Sequence, residues 1–278
     1  MTREIVEEVR GFRTQDGAGV RLVRVLGHET TDRFDPFLML DSFDSTDPDD
    51  YVRGFPLHPH RGIETVTYLA KGCITHRDSL GNHGSIGAGE AQWMTAGSGI
   101  MHEEMPQPAD EMLGVQIWLN MPASEKMSSP AYNDIRDMPE VSEEGALVRI
   151  VGGSYRGTTG FQGKHVPADI FDIQLFPDAD FVCETKPDHE LFLFLIKGDV
   201  EVEGSRYAEK TALALGRGSE VRLRSVEGAG SEVILFSAPS LSEPIAWGGP
   251  IVMNTQEELR RAFQELDDGT FVKEEAEL

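Results

Sequence analysis

LHPHRGIETVTYLAKG, residues 57–72, sets two histidines one residue apart ahead of an apolar run that closes on glycine. Alternate side chains of an extended chain point the same way, so His58 and His60 share one face and Pro59 takes the other. Proline cannot donate to a strand ladder, which puts the pair at a sheet edge or strand entry, where a site opens to solvent. A second pair of the same form, His102 and Glu104 in GIMHEEMP, stands on the next candidate strand after the double-glycine turn of Gly87 and Gly89.

Outward from this stretch, the chain reads as short strands broken by glycine: GVRLVRVLG at 19–27, GVQIWLNM at 114–121, ALVRIVGG at 146–153, ELFLFLIKGDVEVEG at 190–204 and SEVILFS at 231–237. The pattern is all-β and lacks the strand–helix alternation of a parallel sheet. One helix stands out near the end, in NTQEELRRAFQELDDG, residues 254–269. Thr255 is its N-cap with Glu258 three residues on, a capping box; Leu259, Ala262, Phe263 and Leu266 form one apolar face, and Gly269 is the stop.

Between residues 122 and 145 the composition turns to proline, serine and acid, which reads as a connection between two halves. The expected division is a first domain at 1–125, a linker at 126–146 and a second domain at 147–278. The halves resemble each other: ETVTYLAKG from Glu64 lies over ELFLFLIKG from Glu190 at an offset of 126, and Gly87 and Gly89 lie over Gly216 and Gly218 at 129.

Composition narrows the function. The 278 residues carry 48 acidic against 25 basic side chains, a formal charge of −23, which opposes binding to nucleic acid or an anionic membrane by charge. Cys73 and Cys183 form no CxxC pair and no disulfide framework. The first residues, MTREIVEEVRGF, lack the apolar core of a signal peptide, and no uncharged run approaches the roughly 18 residues of a membrane span, so a cytoplasmic protein is expected.

Chance alone supplies roughly one or two His-x-acid pairs in such a composition. The sequence holds a second, His76 with Asp78 in THRDSLGNHG, where turn residues make Asp78 a turn cap; His83 reads as a loop residue, and His28, His165 and His189 lack a partner at metal-ligand spacing. What exceeds chance is the order HPHRGIE, an apolar strand to Gly72, then GAGEAQWMTAGSGIMHEEMP at 87–106.

That order resembles the signature region of the pirin family, a branch of the cupin superfamily, across about residues 50–122, and EPIAWGGPIVMNTQEELRRAFQELDDGTF at 243–271 resembles the family's C-terminal region. The resemblance implies a bicupin, with two jelly-roll-like β-barrels and a single metal in the first, held by His58, His60, His102 and Glu104. The wider cupin pattern takes its carboxylate four residues after the second histidine, where Glu64 stands; the pirin pattern and strand parity favour Glu104. No proline stands at the usual place after Gly89 and no asparagine follows late in the motif, departures that run toward the pirin pattern. In the second half, Glu184 and Lys186 stand over His58 and His60 at an offset of 126, and Ser231 and Val233 over His102 and Glu104 at 129, so that barrel is expected to lack a metal.

Three imidazoles and a carboxylate suit a divalent transition metal: iron(II) first, with nickel, manganese, copper, cobalt and zinc as further ions such donors take. An octahedral ion keeps two positions open for substrate and dioxygen. The resemblance implies a dioxygenase of the quercetin 2,3-dioxygenase type, with a flavonol-like aromatic and O2 as substrates; in the mechanism expected from such a site Glu104 is the catalytic proton acceptor, and the apolar Phe55, Ile100 and Met101 beside the ligands read either as pocket lining or as barrel core. The alternative is an iron-dependent redox-sensing protein that acts on an unidentified protein partner. Two barrels in one chain supply the pairing that one-barrel relatives obtain by dimerising, so a monomer is expected.

Overall fold

The apolar run after His60 becomes the strand Ile63–Lys71, central in a seven-stranded antiparallel sheet, in a computed structural model that describes residues 1–226, 228 and 230–274. Its neighbours are Glu90–Thr95 on one side and Met112–Asn120 on the other; beyond these lie Ala131–Ile135 at one edge, and Phe37–Ser45, Val20–Leu26 and Phe12–Asp16 toward the other. A four-stranded sheet of Phe55–His60, Ile100–Pro106, Ile74–Asp78 and His83–Ile86 completes this β-barrel. Leu22, Phe43, Leu69 and Met112 form an apolar layer inside it, and Met39, Ile63, Met94 and Trp118 form another.

The second barrel repeats the plan strand for strand, with Glu190–Lys197 in the place of Ile63–Lys71. Its four-stranded sheet runs Asp180–Glu184, Glu220–Ser225, Val200–Val202, Ser205–Tyr207. This confirms the two-barrel, all-β expectation and the offset of 126. The offset of 129 is in error. Gly216 and Gly218 follow the strand Thr211–Leu215 as Gly97 and Gly99 follow Glu90–Thr95, an offset of 119. His102 and Glu104 therefore correspond to Val221 and Leu223, both buried in the apolar core of the second barrel with Phe181 and Cys183. Ser231 and Val233 belong to the next strand. Apolar packing occupies the positions of His102 and Glu104, and among the described residues no metal-binding group occurs there.

The expected boundaries also change. One compact unit comprises residues 1–12, 29–35 and 137–240; the other comprises 13–28, 36–136 and 241–278. The strand Ile5–Arg10 pairs with Thr211–Leu215 and closes an edge of the second barrel, and the C-terminal segment belongs with the first. Edge strands need covering, and a terminal segment can supply the cover without regard to its position in the chain. Within the expected linker, Ala131–Ile135 and Glu140–Glu143 are strands. Both cysteines are free. Among the described residues no helix is long and apolar enough to cross a membrane.

The helix Gln256–Asp267 forms as the sequence expects: Thr255 accepts from the Glu258 amide, and the Glu258 carboxylate accepts from the Thr255 amide. At the far end the amides of Gly269 and Thr270 donate to the carbonyls of Leu266 and Glu265, with Gly269 at φ 69°, a Schellman stop. Leu259 and Ala262 are buried against Ile251, Met253 and Phe271; Phe263, expected on that face, is 40% exposed.

Arg61 clasps this helix. Its guanidinium pairs with Glu265 at 2.8 Å, donates to the carbonyls of Ser98 and Phe271, and lies over the Phe271 ring. Burial acts to raise the Glu265 carboxyl, but the bonds and charge of Lys273 and Arg61 outweigh it and hold the group at about 2, against an ordinary 4.5. A lowered folded value stabilises the fold above pH 4.5, and the contribution is lost as the pH falls toward 2. The difference in urea midpoint between the parent and Glu265→Gln should shrink through that window; a gap that stays constant contradicts the clasp.

Candidate metal centre

Phe55–His60 is the edge strand of its four-stranded sheet, so Pro56 and Pro59 interrupt no central ladder. It pairs with Ile100–Pro106 in a register that sets His102 directly opposite His58 and Ile100 opposite His60. A bulge follows between His102 and Glu104, yet burial alternates along the strand, and His102 and Glu104 both point inward, at 0% and 2% exposure.

The three imidazoles converge. His58 Nε2 lies 3.0 Å from both His60 Nε2 and His102 Nε2. His58 Nδ1 is 2.9 Å from the Pro56 carbonyl, and His60 Nδ1 is 3.0 Å from that of Pro250. A carbonyl only accepts, so each Nδ1 carries the hydrogen, and with both rings neutral, as metal ligands must be, each facing Nε2 presents a bare lone pair. Two lone pairs at 3.0 Å make no hydrogen bond and repel one another. A cation between them removes the conflict, so these donors fit a metal ion. Burial, with the neighbouring imidazoles, lowers the His60 pKa to about 3 and that of His102 well below its ordinary value, which keeps both neutral and able to ligate. Among the described residues this is the one group of histidine, cysteine and acid side chains gathered closely enough to hold an ion.

Glu104 stands apart from that group, which contains the three histidines only. Its Oε1 accepts from the Thr67 hydroxyl at 3.1 Å and from the Gln92 amide, and its Oε2 accepts from the Gln116 amide at 2.7 Å. Of the four lone-pair directions of a carboxylate, these donors take three and leave one on Oε2. Glu64, the alternative carboxylate, is fully buried and accepts from the Trp93 indole and the Thr95 hydroxyl. Asp78 caps its turn, accepting from the amides of Leu80 and Asn82, and also contacts His76 at 3.3 Å. His76 stacks on Tyr132.

A cavity of about 540 Å³ opens at the histidines. His58, His60, Gln116, Met39, Trp118 and Trp247 line it, and so does Phe55; Ile100 lies instead in the core, and Met101 packs near Phe271. Pro250, whose carbonyl orients His60, and Trp247 come from the C-terminal hairpin of Ala246–Gly248 and Ile251–Met253. His28 stacks on Trp247 at 3.8 Å and belongs to the cavity wall, which its isolation in the sequence did not indicate. The available signal for Thr67, Gln92 and Gln116 was a polar residue at the inward phase of an apolar strand.

Comparison with known proteins gives the family and the fold. The family model for Pirin matches residues 19–119, and that for the Pirin C-terminal cupin domain matches 170–272. A pirin-like protein of Caulobacter vibrioides is 42% identical, over 97% of this chain and 99% of its own. A crystal structure of quercetin 2,3-dioxygenase from Acinetobacter baumannii superposes with a TM-score of 0.88 at 30% identity, covering 98% of this chain and 99% of that one. A bacterial pirin of Escherichia coli in complex with nickel(II) shares the fold, at a TM-score of 0.63 and 23% identity over 84% and 99% of the two chains.

Proposed function

This chain belongs to the pirin family, and from that premise we propose that it is a metal-dependent dioxygenase that cleaves flavonols such as quercetin with O2. His58, His60, His102 and Glu104 hold the ion, which we assign as iron(II). The observation that carries the reading is the Nε2 atoms of His58 and His60 facing each other at 3.0 Å, each with its Nδ1 on a carbonyl, in the wall of an indole-lined cavity. The relatives support it: the Acinetobacter protein is named for quercetin cleavage, and the Escherichia pirin holds a divalent metal.

When bound, the ion supplies Lewis acidity toward a substrate's hydroxyl and keto oxygens and a redox partner for O2. The chain's own residues do the rest. Trp118, Trp247 and Met39 exclude water from a flat aromatic ligand. Glu104, once detached from the ion, accepts the proton of the substrate hydroxyl on the one lone pair of Oε2 that its donors leave, while Thr67, Gln92 and Gln116 hold its carboxylate in place. Pro250 and Pro56 keep the hydrogens of His60 and His58 on Nδ1, away from the ion.

Iron-loaded protein mixed with quercetin should lose the flavonol absorbance in air and keep it under nitrogen. No loss in air, with the iron content confirmed at one per chain, would contradict the dioxygenase reading.

A further inference from the structure

Glu104 rests on one end of a polar row that crosses five strands of the seven-stranded sheet. In the ladder Gln92 faces Thr67, Thr67 faces Gln116, Gln116 faces Asp41, and Asp41 faces Arg24. The near end, Gln92 to Gln116, cradles Glu104; the far end has no part in the metal centre, yet Asp41, Arg24 and the neighbouring Asp16 line the same cavity.

The bonds at the far end are specific. Arg24 donates to Asp41 through Nε at 2.9 Å and Nη2 at 2.7 Å, and through Nη2 to Asp16 at 2.6 Å. Its Nη1, with two hydrogens, makes no hydrogen bond among the described residues, and the side chain is 26% exposed. A cross-strand ion pair between Arg24 and Asp41 explains the buried bonds. It does not explain why Arg24, with Nη1 left over, and Asp16, which accepts from Arg24 Nη2 on Oδ2 and from the Gly17 amide on Oδ1, both line the cavity.

We propose that Arg24 and Asp16 form a distal subsite that reads a phenolic hydroxyl on the part of the substrate remote from the histidines. A hydroxyl both accepts and donates, so it can take a hydrogen from Nη1 and give its own to Asp16. A carboxylate can only accept, and it would meet two aspartates for one arginine. Two interstrand steps separate Gln116 from Arg24, roughly 10 Å at ordinary sheet spacing, so the hydroxyl belongs on a ring other than the one facing the ion. This assignment rests on the aromatic-substrate reading above and names which substituent the site selects.

The test is binding under nitrogen to full-length, metal-loaded protein, followed by quenching of tryptophan fluorescence. The probes are quercetin, hydroxylated on its pendant ring, and galangin, the flavonol that differs from it only in lacking those pendant-ring hydroxyls. The parent should prefer quercetin by about tenfold, the scale of one hydrogen-bonded hydroxyl. Asp16→Ala, whose side chain is 48% exposed and which leaves the Arg24–Asp41 pair intact, should bring the ratio near one, as should Arg24→Met if it folds by circular dichroism. An equal affinity in the parent, a preference that survives Asp16→Ala, or failure to bind either probe overturns the subsite. Turnover in air is scored separately: selective binding without turnover contradicts only the dioxygenase reading, and turnover of both flavonols without selectivity contradicts only the subsite.

Discussion

His60→Ala protein is expected to purify with almost no metal while both barrels remain folded. His60 is 2% exposed, and its Nε2 is one of the three that converge. Structural metal sites contribute about 10–16 kcal/mol over some four ligands, so losing one imidazole costs about 3 kcal/mol, on the order of a hundredfold in affinity. The fold has little stake in the ion. Its interior is held by Leu22, Phe43, Leu69 and Met112 in one apolar cluster and Ile63, Met94 and Trp118 in another, and the second barrel has an apolar core of its own. The Pro250 carbonyl loses its donor, worth about 1 kcal/mol. Metal analysis and thermal melts of the apo proteins check both halves; unfolding at ambient temperature, or undiminished metal, contradicts the assignment.

Glu104→Gln carries the second large effect, because three donors already point at that carboxylate. An amide sets its own NH2 against Thr67, Gln92 or Gln116, and a buried donor facing donors costs about 1–3 kcal/mol. It also removes the proton acceptor, which general-base catalysis values at about a hundredfold to ten-thousandfold in rate. Glu64→Gln makes the contrast. That carboxylate serves Trp93 and Thr95, so the variant should lose stability and keep its metal. Steady-state quercetin turnover and urea midpoints for the two variants separate the carboxylates; equal metal loss in both would return Glu64 to consideration.

Strand parity was the most informative property of the sequence. It put His58 on one face with His60, and His102 on one face with Glu104, and the ladder between His58 and His102 brings the two pairs together. The capping box at Thr255 and the stop at Gly269 were equally local and equally legible. What escaped was non-local. Two glycines two residues apart recur both before and after the strand Glu90–Thr95, so Gly216 and Gly218 aligned with the wrong pair, and only strand order corrects it. The repeat is read along the chain, whereas the terminal segments join the opposite barrels, which moved the domain boundaries. Trp118 and Trp247 sit in runs that read as ordinary core, and nothing local separates an indole that lines a cavity from one that fills a core. The parity that pointed Glu104 inward said nothing of Thr67, Gln92 and Gln116, which hold its carboxylate apart from the histidine cluster.

Whether three Nε2 atoms and one carboxylate oxygen share a single ion is tested most directly by crystals of iron-loaded protein, with anomalous diffraction recorded at the iron edge. One anomalous peak per chain is expected, bonded at about 2.0–2.2 Å to Nε2 of His58, His60 and His102 and to Oε2 of Glu104. A peak elsewhere, or an ion at this site bound through Nδ1 or with any one of the four side chains turned away, would contradict the shared site.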